Sequence, residues 1–543
     1  MTGVTGDADV VTPGGRPGRR GGRGVRALLG GASGLVSGFA ALAVAELVSV
    51  AVRPEASPVT VVGGAAVDRT PPALKDFAVR HFGTDDKAVL QLGIVVVLAL
   101  FALAVGVLAV RHRRTGSGVA LLFGAVGVAA AASRPDARWA DVLPSAAGGV
   151  VAGALLYWLA GRARTPLGGR PGGRGGAGAG VFDRRGFVVA ATAAAAASAG
   201  AGALGRQLNA DKAAAQAASR ADTVLPRPAS PARPLPAGVH PEVRGLSAFH
   251  TSTKDFYRVD TALAVPRVDA STWRLRLHGR GVRRPVALTF QDLLGRDLVE
   301  RDITLTCVSN EVGGPYVGTA RWLGVRLADV LREAGVRPPS EGGPADQLVA
   351  RSVDGMTIGS PVETVMDGRD ALLAVGMNGE PLPFAHGFPV RMLVPGLYGY
   401  VSACKWLTDL ELTTFDDFDA YWVRRTWSRG APIKTESRID TPRPFASPKA
   451  GVVPVAGVAW AQHRGISRVE VRIDGGPWHE ARLAAEAGHD TWRQWVWPWR
   501  ATPGSHTLEV RATDRTGYTQ TGQRVGTVPD GATGWHSVVV AVT

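Results

Sequence analysis

The pattern of apolar positions divides the chain into two halves. The first 220 residues carry five long apolar runs, Ala27–Val52, Ala88–Val110, Ser117–Ser133, Pro144–Gly161 and Phe187–Leu204. The first two exceed the roughly 20 residues that a helix needs to cross about 30 Å of hydrocarbon. The other three are shorter and rich in Ala and Gly, residues small enough to let helices pack closely in lipid. The pattern therefore predicts a transmembrane region over 27–204, an N-terminal α-helical membrane bundle of about five helices. From about His240 the period changes. Trp273–Leu277 alternates as a strand does, and Leu323–Ala334 has helical spacing that stops at Gly335, so an α+β domain is predicted over 241–430. After Asp440 the pattern is all-β. Arg468–Ile473 alternates, Asp474-Gly475-Gly476 supplies a hairpin turn, and Trp495–Trp499 and His506–Ala512 read as short strands. Regular short strands of this kind predict a C-terminal all-β immunoglobulin-like sandwich over 441–543.

The segments between these blocks read as connections. Residues 1–26 are rich in Gly and Arg and are expected to be a disordered basic tail. Residues 205–240 are rich in Ala, Arg and Pro and are expected to be a semi-extended linker.

Charge adds the orientation of the bundle. The net charge is +15, and the first 220 residues hold 24 Lys and Arg against 12 Asp and Glu. The Arg residues lie between apolar runs rather than on a folded basic face, which speaks against nucleic acid and for membrane lipid as the partner. Every second loop is predominantly basic: the tail, with five Arg against Asp7 and Asp9, Arg111–Arg114, and Arg162–Arg185, with six Arg against Asp183, whereas the loops at 53–87 and 134–143 mix signs more evenly. Under the positive-inside rule the basic loops face the cytoplasm. Five crossings then place residues 205–543 outside it, as a multi-pass protein of the cell membrane. Arg184-Arg185 ahead of an Ala-rich run resembles a twin-arginine export signal, and equally suits an anchor at the inner end of the fifth helix. Glu46 lies inside the first run, where an acid is costly; it is a functional candidate or a side chain reaching to the interface. None of the five runs contains histidine, which argues against a membrane haem held by paired imidazoles.

The chain has two cysteines, Cys307 and Cys404, too few for a disulfide framework or a four-thiolate zinc site. A pairing of the two stays open for a domain outside the cytoplasm. Cys307 follows the alternating run Ile303–Leu305 and opens a loop that ends in Gly313-Gly314. A thiol where a strand runs into a loop is either a soft metal ligand facing a pocket or a small buried core residue.

The stretch around it resembles a known family. Asp255-Phe256-Tyr257-Arg258-Val259-Asp260-Thr261, Thr306-Cys307-Val308-Ser309-Asn310, Thr319–Trp322, Met377–Pro383, His386–Arg391, Val394-Pro395-Gly396 and Lys405-Trp406-Leu407 follow one another as in the catalytic domain of the sulfite oxidase family of molybdenum enzymes, which includes periplasmic methionine-sulfoxide reductases. The resemblance implies a molybdenum cofactor (molybdopterin) whose metal takes a thiolate from Cys307. It implies that Tyr257, Arg258, His386, Arg391 and Lys405 hold the pterin and its phosphate, with Asp354 and Cys404 as further cofactor-contact candidates. Cys404 also reads as packing, or as a redox-active thiol. The C-terminal domain resembles the one that follows the catalytic domain in sulfite oxidases and often mediates their dimers, so a homodimer is a possible state.

Departures from the family pattern bear on substrate. Val259 stands where sulfite oxidases place an arginine that holds the anion, and Trp427 stands where they carry a tyrosine beside the metal. Losing a cation and a hydroxyl favours a less charged S-oxide or N-oxide, with Trp427 shaping the substrate side. The expected activity is oxygen-atom transfer to or from such a small molecule. Oxidation of sulfite or another sulfur compound is the alternative, and a receptor or scaffold that has lost its metal is a second one. With no haem or flavin signature in the chain, electrons would need a separate partner, a cytochrome or a quinol oxidoreductase.

Overall fold

A computed structural model describes residues 19–70, 86–134, 137–163, 184–262 and 264–543. The chain divides into two units, 1–212 and 213–543.

The first unit is helical. Its helices are α1 (Arg19–Val52), α2 (Pro58–Arg69), α3 (Asp86–Arg111), α4 (Arg113–Ala132), α5 (Leu143–Ala163) and α6 (Arg184–Ala221). Five of them, all but α2, are long and apolar enough to cross a membrane, and they coincide with the five apolar runs. Glycines set the closest approaches. A Cβ on Gly34 or Gly106 would collide with backbone of the facing helix, so α1 and α3 touch where neither has a side chain. Arg53 donates from Nε to Asp141 at 2.9 Å, which ties the end of α1 to the turn before α5. Glu46 has a polar partner, since Asn209 Nδ2 on α6 donates to its Oε1 at 2.9 Å.

Three expectations need correction here. Residues 19–26, read as part of a disordered tail, form the first turns of α1, while residues 1–18 and most of the Arg162–Arg185 loop lie outside the described residues. The loop after the first run contains the short helix α2. Residues 205–221, read as linker, continue the fifth apolar helix to Ala221. The reason is composition: the segment is dominated by Ala, the strongest helix former, and the first proline comes only at Pro226. The remainder, 222–240, is extended but packed. Leu225 and Leu235 lie against the central core, and Ser230 exchanges backbone hydrogen bonds with Leu298 and Glu300.

The central domain is built on two five-stranded sheets. One has β1 (Arg274–Gly279), β2 (Val286–Thr289), β5 (Gln347–Ser352), β6 (Thr357–Pro361) and β10 (Leu407–Thr413) in the order β2-β1-β10-β5-β6. The other has β3 (Val299–Thr306), β4 (Val317–Arg326), β7 (Leu372–Met377) and β8 (Glu380–Pro381) in sequence order, with β9 (Arg391–Leu393) on β7. The helix expected over Leu323–Ala334 is shorter: Leu323–Arg326 completes β4, and only Leu327–Glu333 forms helix α7. β4 is buried on both faces, so it has no alternation to distinguish it from a buried helix. Gly335, at φ +81°, ends the turn after α7 as expected.

The C-terminal strands form two four-stranded antiparallel sheets. β11 (Glu436–Thr441), β12 (Gly451–Trp460), β16 (Arg493–Ala501) and β15 (Arg482–Leu483) make one; β14 (His479–Glu480), β13 (Ile466–Ile473), β17 (Gly504–Asp514) and β18 (His536–Val542) make the other. Val455, Trp495 and Trp499 from the first sheet share an apolar core with Val469, Val510 and Val540 from the second. β13 turns back on β14 through Asp474-Gly475, both at positive φ, as the hairpin signal predicts.

Candidate active site

β3 is where the site begins. It pairs along its length with β4, from Val299 opposite Gly324 to Thr306 opposite Val317, and the chain leaves the sheet at Cys307. The loop that follows is pinned at both ends. Cys307 N–H donates to the Tyr316 carbonyl at 2.9 Å, and Asn310 N–H donates to the Cys307 carbonyl at 3.0 Å. Asn310 Oδ1 accepts from Tyr316 N–H at 2.7 Å. The thiol therefore sits on a fixed corner rather than a free loop.

Cys307 lines a cleft with about 750 Å³ of space not filled by atoms, its solvent-open mouth included. Tyr257, Val259, Met356, Tyr400, Trp422 and Trp427 supply an aromatic and apolar wall. Trp427 leans on Tyr400, with ring centres 5.6 Å apart, and on Trp422 at 6.3 Å. The charged lining residues are Asp260, Asp354, Arg391 and Lys405.

Electrostatics divides these groups into distinct roles. Burial pushes the Cys307 thiol up, while hydrogen bonds from Ser309 and the nearby Lys405 ammonium favour the thiolate. Burial, with the Cys307 charge beside it, holds the Tyr257 hydroxyl protonated far above the usual range. Arg391 is 6% exposed, and burial lowers it to about 10, so it keeps its charge at neutral pH. Its Nε is buried without a hydrogen-bond partner among the described residues, an orphaned cationic donor at a cleft wall. Lys405 Nζ donates to Asp260 Oδ2 at 2.8 Å, and Arg258 Nε reaches the same oxygen at 3.1 Å.

Several expected site residues stand elsewhere. Arg258 is paired with Asp260 and is not among the residues that line the cleft. His386 lies behind the wall. Its Nε2 is 3.3 Å from the Thr253 carbonyl, which assigns the proton to that nitrogen, and its own carbonyl is 3.5 Å from Arg391 Nη1. Burial and the neighbouring Arg391 and Lys405 charges bring His386 down to about 4, so it is neutral at pH 7 and supports Arg391 rather than adding a cation. Gly387, at φ +108°, lets this turn pass close to the Lys405 Cα. Cys404 is placed as its packing reading has it: it is 1% exposed, belongs to the central apolar core and is not among the residues that line the cleft. Both cysteines are free thiols. Asp354 does line the cleft, at the Asp-Gly turn between β5 and β6. Asp260, Ser309, Met356, Tyr400 and Trp422 were not singled out by sequence. Asp260 lies within the Asp255–Thr261 segment, but its role depends on Lys405, 145 positions away.

The comparisons with known proteins agree with this geometry. Residues 262–422 match the model of the oxidoreductase molybdopterin binding domain. The central domain belongs to the sulfite oxidase family of molybdenum-cofactor oxidoreductases. Its relatives include mitochondrial sulfite oxidase of Rattus norvegicus, 31% identical over 49% of this chain and 54% of that protein. NADH nitrate reductase 1 of Oryza sativa subsp. japonica is 30% identical over 47% of this chain and 34% of that protein. Among solved structures, the sulfane dehydrogenase SoxCD of Paracoccus pantotrophus matches with a TM-score of 0.47 and 24% identity, over 55% of this chain and 84% of that one. The chain spans about half the length of the rat sulfite oxidase it matches.

The residues present fit the family's molybdenum cofactor. Cys307 offers the soft thiolate that such a metal takes. The orphaned Nε of Arg391 is a donor in need of an anionic partner, and its planar fork suits phosphate. Replacing Arg391 with Met, which keeps the buried volume, is expected to lower cofactor affinity by about 10- to 100-fold, the usual cost of removing a supporting contact at a metal site. Molybdenum content and pterin fluorescence of the purified full-length variant measure this; parental loading would remove Arg391 from the cofactor site.

Proposed function

We propose that the protein is a membrane-tethered molybdopterin-dependent oxidoreductase that transfers an oxygen atom to or from a small S-oxide or N-oxide on the extracytoplasmic side. The observation that carries this reading is the cleft itself, lined by the buried Cys307 and Arg391 together with Val259, Tyr400, Trp422 and Trp427. When bound, the cofactor supplies a metal that exchanges an oxygen atom with a two-electron change of oxidation state. The chain's own residues do the rest. Cys307 anchors the metal, Arg391 and Tyr257 hold the pterin, His386 supports Arg391, and Asp260 fixes the Lys405 ammonium beside the thiolate. Trp422 and Trp427 exclude water and present flat apolar surface to the substrate. In the reducing direction one S-oxide, two protons and two electrons give one thioether and one water. The electrons come from a separate cytochrome or quinol oxidoreductase.

The alternative, oxidation of sulfite or another sulfur compound, is favoured by the names of the relatives. Val259, 44% exposed at the cleft, separates the two readings. Val259→Arg is expected to raise kcat/KM for sulfite relative to a dialkyl sulfoxide by up to about fivefold, the worth of ~1 kcal/mol for an exposed charge pair. The gain should shrink at high salt. Assay of metal-loaded protein against sulfite and a panel of S-oxides and N-oxides tests the main reading. Turnover of sulfite alone would overturn it, and so would a folded protein that carries no molybdenum.

We assign the five apolar helices to the membrane, residues 222–543 to its outer side, and the C-terminal sheets to an immunoglobulin-like sandwich able to form a homodimer. A reporter fused after Thr543 should be active outside the cytoplasm; activity only inside would overturn this topology.

A further inference from the structure

The Cys307 corner is held from both sides by the C-terminal domain, by loops on one side and strand β11 on the other. On the β3 side, the Asp490 carbonyl accepts from Thr304 N–H at 2.8 Å, and Gln462 Nε2 donates to the Thr304 carbonyl at 3.1 Å and to Thr306 Oγ1 at 3.0 Å. On the loop side, β11 presents Glu436 and Arg438. Arg438 Nη1 donates to the Gly314 carbonyl at 2.8 Å, while its Nε is fixed by Asp440 at 2.7 Å. The ring of His536 fills the place where a Cβ on Gly313 would stand.

Glu436 is the least expected of these groups. It is 4% exposed, and its Oε1 is buried without a hydrogen-bond partner among the described residues. Asn310, 2% exposed, has already used Oδ1 and its N–H to close the Cys307 loop, and its Nδ2 is likewise buried without a hydrogen-bond partner among the described residues. The two leftover atoms belong to side chains within hydrogen-bonding reach of each other. An acceptor on the C-terminal module and a donor on the Cys307 loop are brought together. Two leftover buried groups that face one another are a costly arrangement unless they work as a pair.

We propose that Glu436 and Arg438 are positioning residues for the Cys307 thiolate: β11 grips the loop at Asn310 and Gly314, so the C-terminal module is part of the metal-ligand apparatus. Neither residue touches the cleft. The inference rests on Cys307 being the metal ligand, and one arm of its test does not need the metal. In cofactor-free full-length protein, Glu436→Ala and Arg438→Ala should speed iodoacetamide labelling of Cys307 tenfold or more, read by peptide mass so that Cys404 is scored separately. In the loaded protein the same variants should change the Mo(V) electron paramagnetic resonance spectrum. Glu436→Gln, which keeps the shape and an acceptor oxygen, should restore both readouts, a rescue that loss of stability alone would not give. Should an alanine variant fail to fold, Arg438→Lys carries the test, since it keeps the charge and loses the fork that reaches Gly314. His479→Ala, on exposed β14, serves as a control for the same module. Parental labelling rates and spectra in Glu436→Ala and Arg438→Ala, or in Arg438→Lys where those do not fold, would overturn the proposal. A change in labelling without any metal signal would instead leave the positioning role intact and overturn the molybdenum reading.

Discussion

Replacing Cys307 with serine is expected to lower oxygen-atom transfer by more than about 100-fold, since even supporting contacts around a metal typically cost 10- to 100-fold when removed. The effect should fall on kcat rather than on binding of the pterin. Arg391 and Tyr257, which we assign to the pterin, remain in place, so molybdopterin content should stay within about twofold of the parent by analogy with sites whose other contacts are intact. A hydroxyl is a harder and far less acidic donor than a thiol, and the groups that favour charge on the sulfur, Ser309 and Lys405, are matched to a thiolate. The check is steady-state turnover normalised to molybdenum, with pterin measured separately. Cys404→Ser supplies the contrast: its side chain lies in the core and is not among the cleft lining, so it is expected to cost stability and leave turnover per metal unchanged. Full activity in Cys307→Ser would remove the residue from the metal.

How much of this was readable from the chain depends on whether the physical signal is local. The five helices were, because each is a long unbroken apolar run and the run is its own signal. Strand β13 and its Asp474-Gly475 turn were, because one face of that strand is exposed and the alternation survives in sequence. Strand β4 was not, since burial on both faces erases the period. The Cys307 corner was legible as a motif, but the Asp260–Lys405 pair was not. Nothing at either position announces a partner 145 residues away. The same holds for Arg258 and His386, whose residue types suit an anionic cofactor and whose structural places are at an ion pair and behind the wall. Glu436 offered no signal at all: an acid in a six-residue strand reads as solvent-facing until the Cys307 loop is packed over it.

Glu436 also gives the largest expected effect on stability. Burial pushes its carboxyl up to about 8, with Lys434 and Asn310 opposing the rise, against 4.5 for an unperturbed side chain. The groups around it are Lys434, itself paired with Asp530 at 2.8 Å, the Tyr398 hydroxyl, and the Asn310 amide. A folded value above the unfolded one means that the folded state holds the proton more tightly. Its contribution is fully present below pH 4.5 and is lost as pH rises through 8. Glutamine keeps the shape and carries no charge, so Glu436→Gln should escape this loss. Its unfolding midpoint should match the parent near pH 5 and exceed it increasingly up to pH 8 or above. Each pKa unit corresponds to about 1.4 kcal/mol, so the gain approaches roughly 4 kcal/mol, or several degrees in Tm. His386 and His536, both lowered to about 4, pull in the other direction: the unfolded chain binds their protons below 6.5 while the folded state stays neutral down to about 4, so their contribution is lost as pH falls through that range. They are present in both proteins and cancel in the difference. Thermal unfolding of the two full-length proteins in detergent between pH 5 and 9 is the measurement. A difference that does not grow with pH would show that Glu436 is ionised in the folded state and that the Asn310 loop meets a charge rather than a neutral acid.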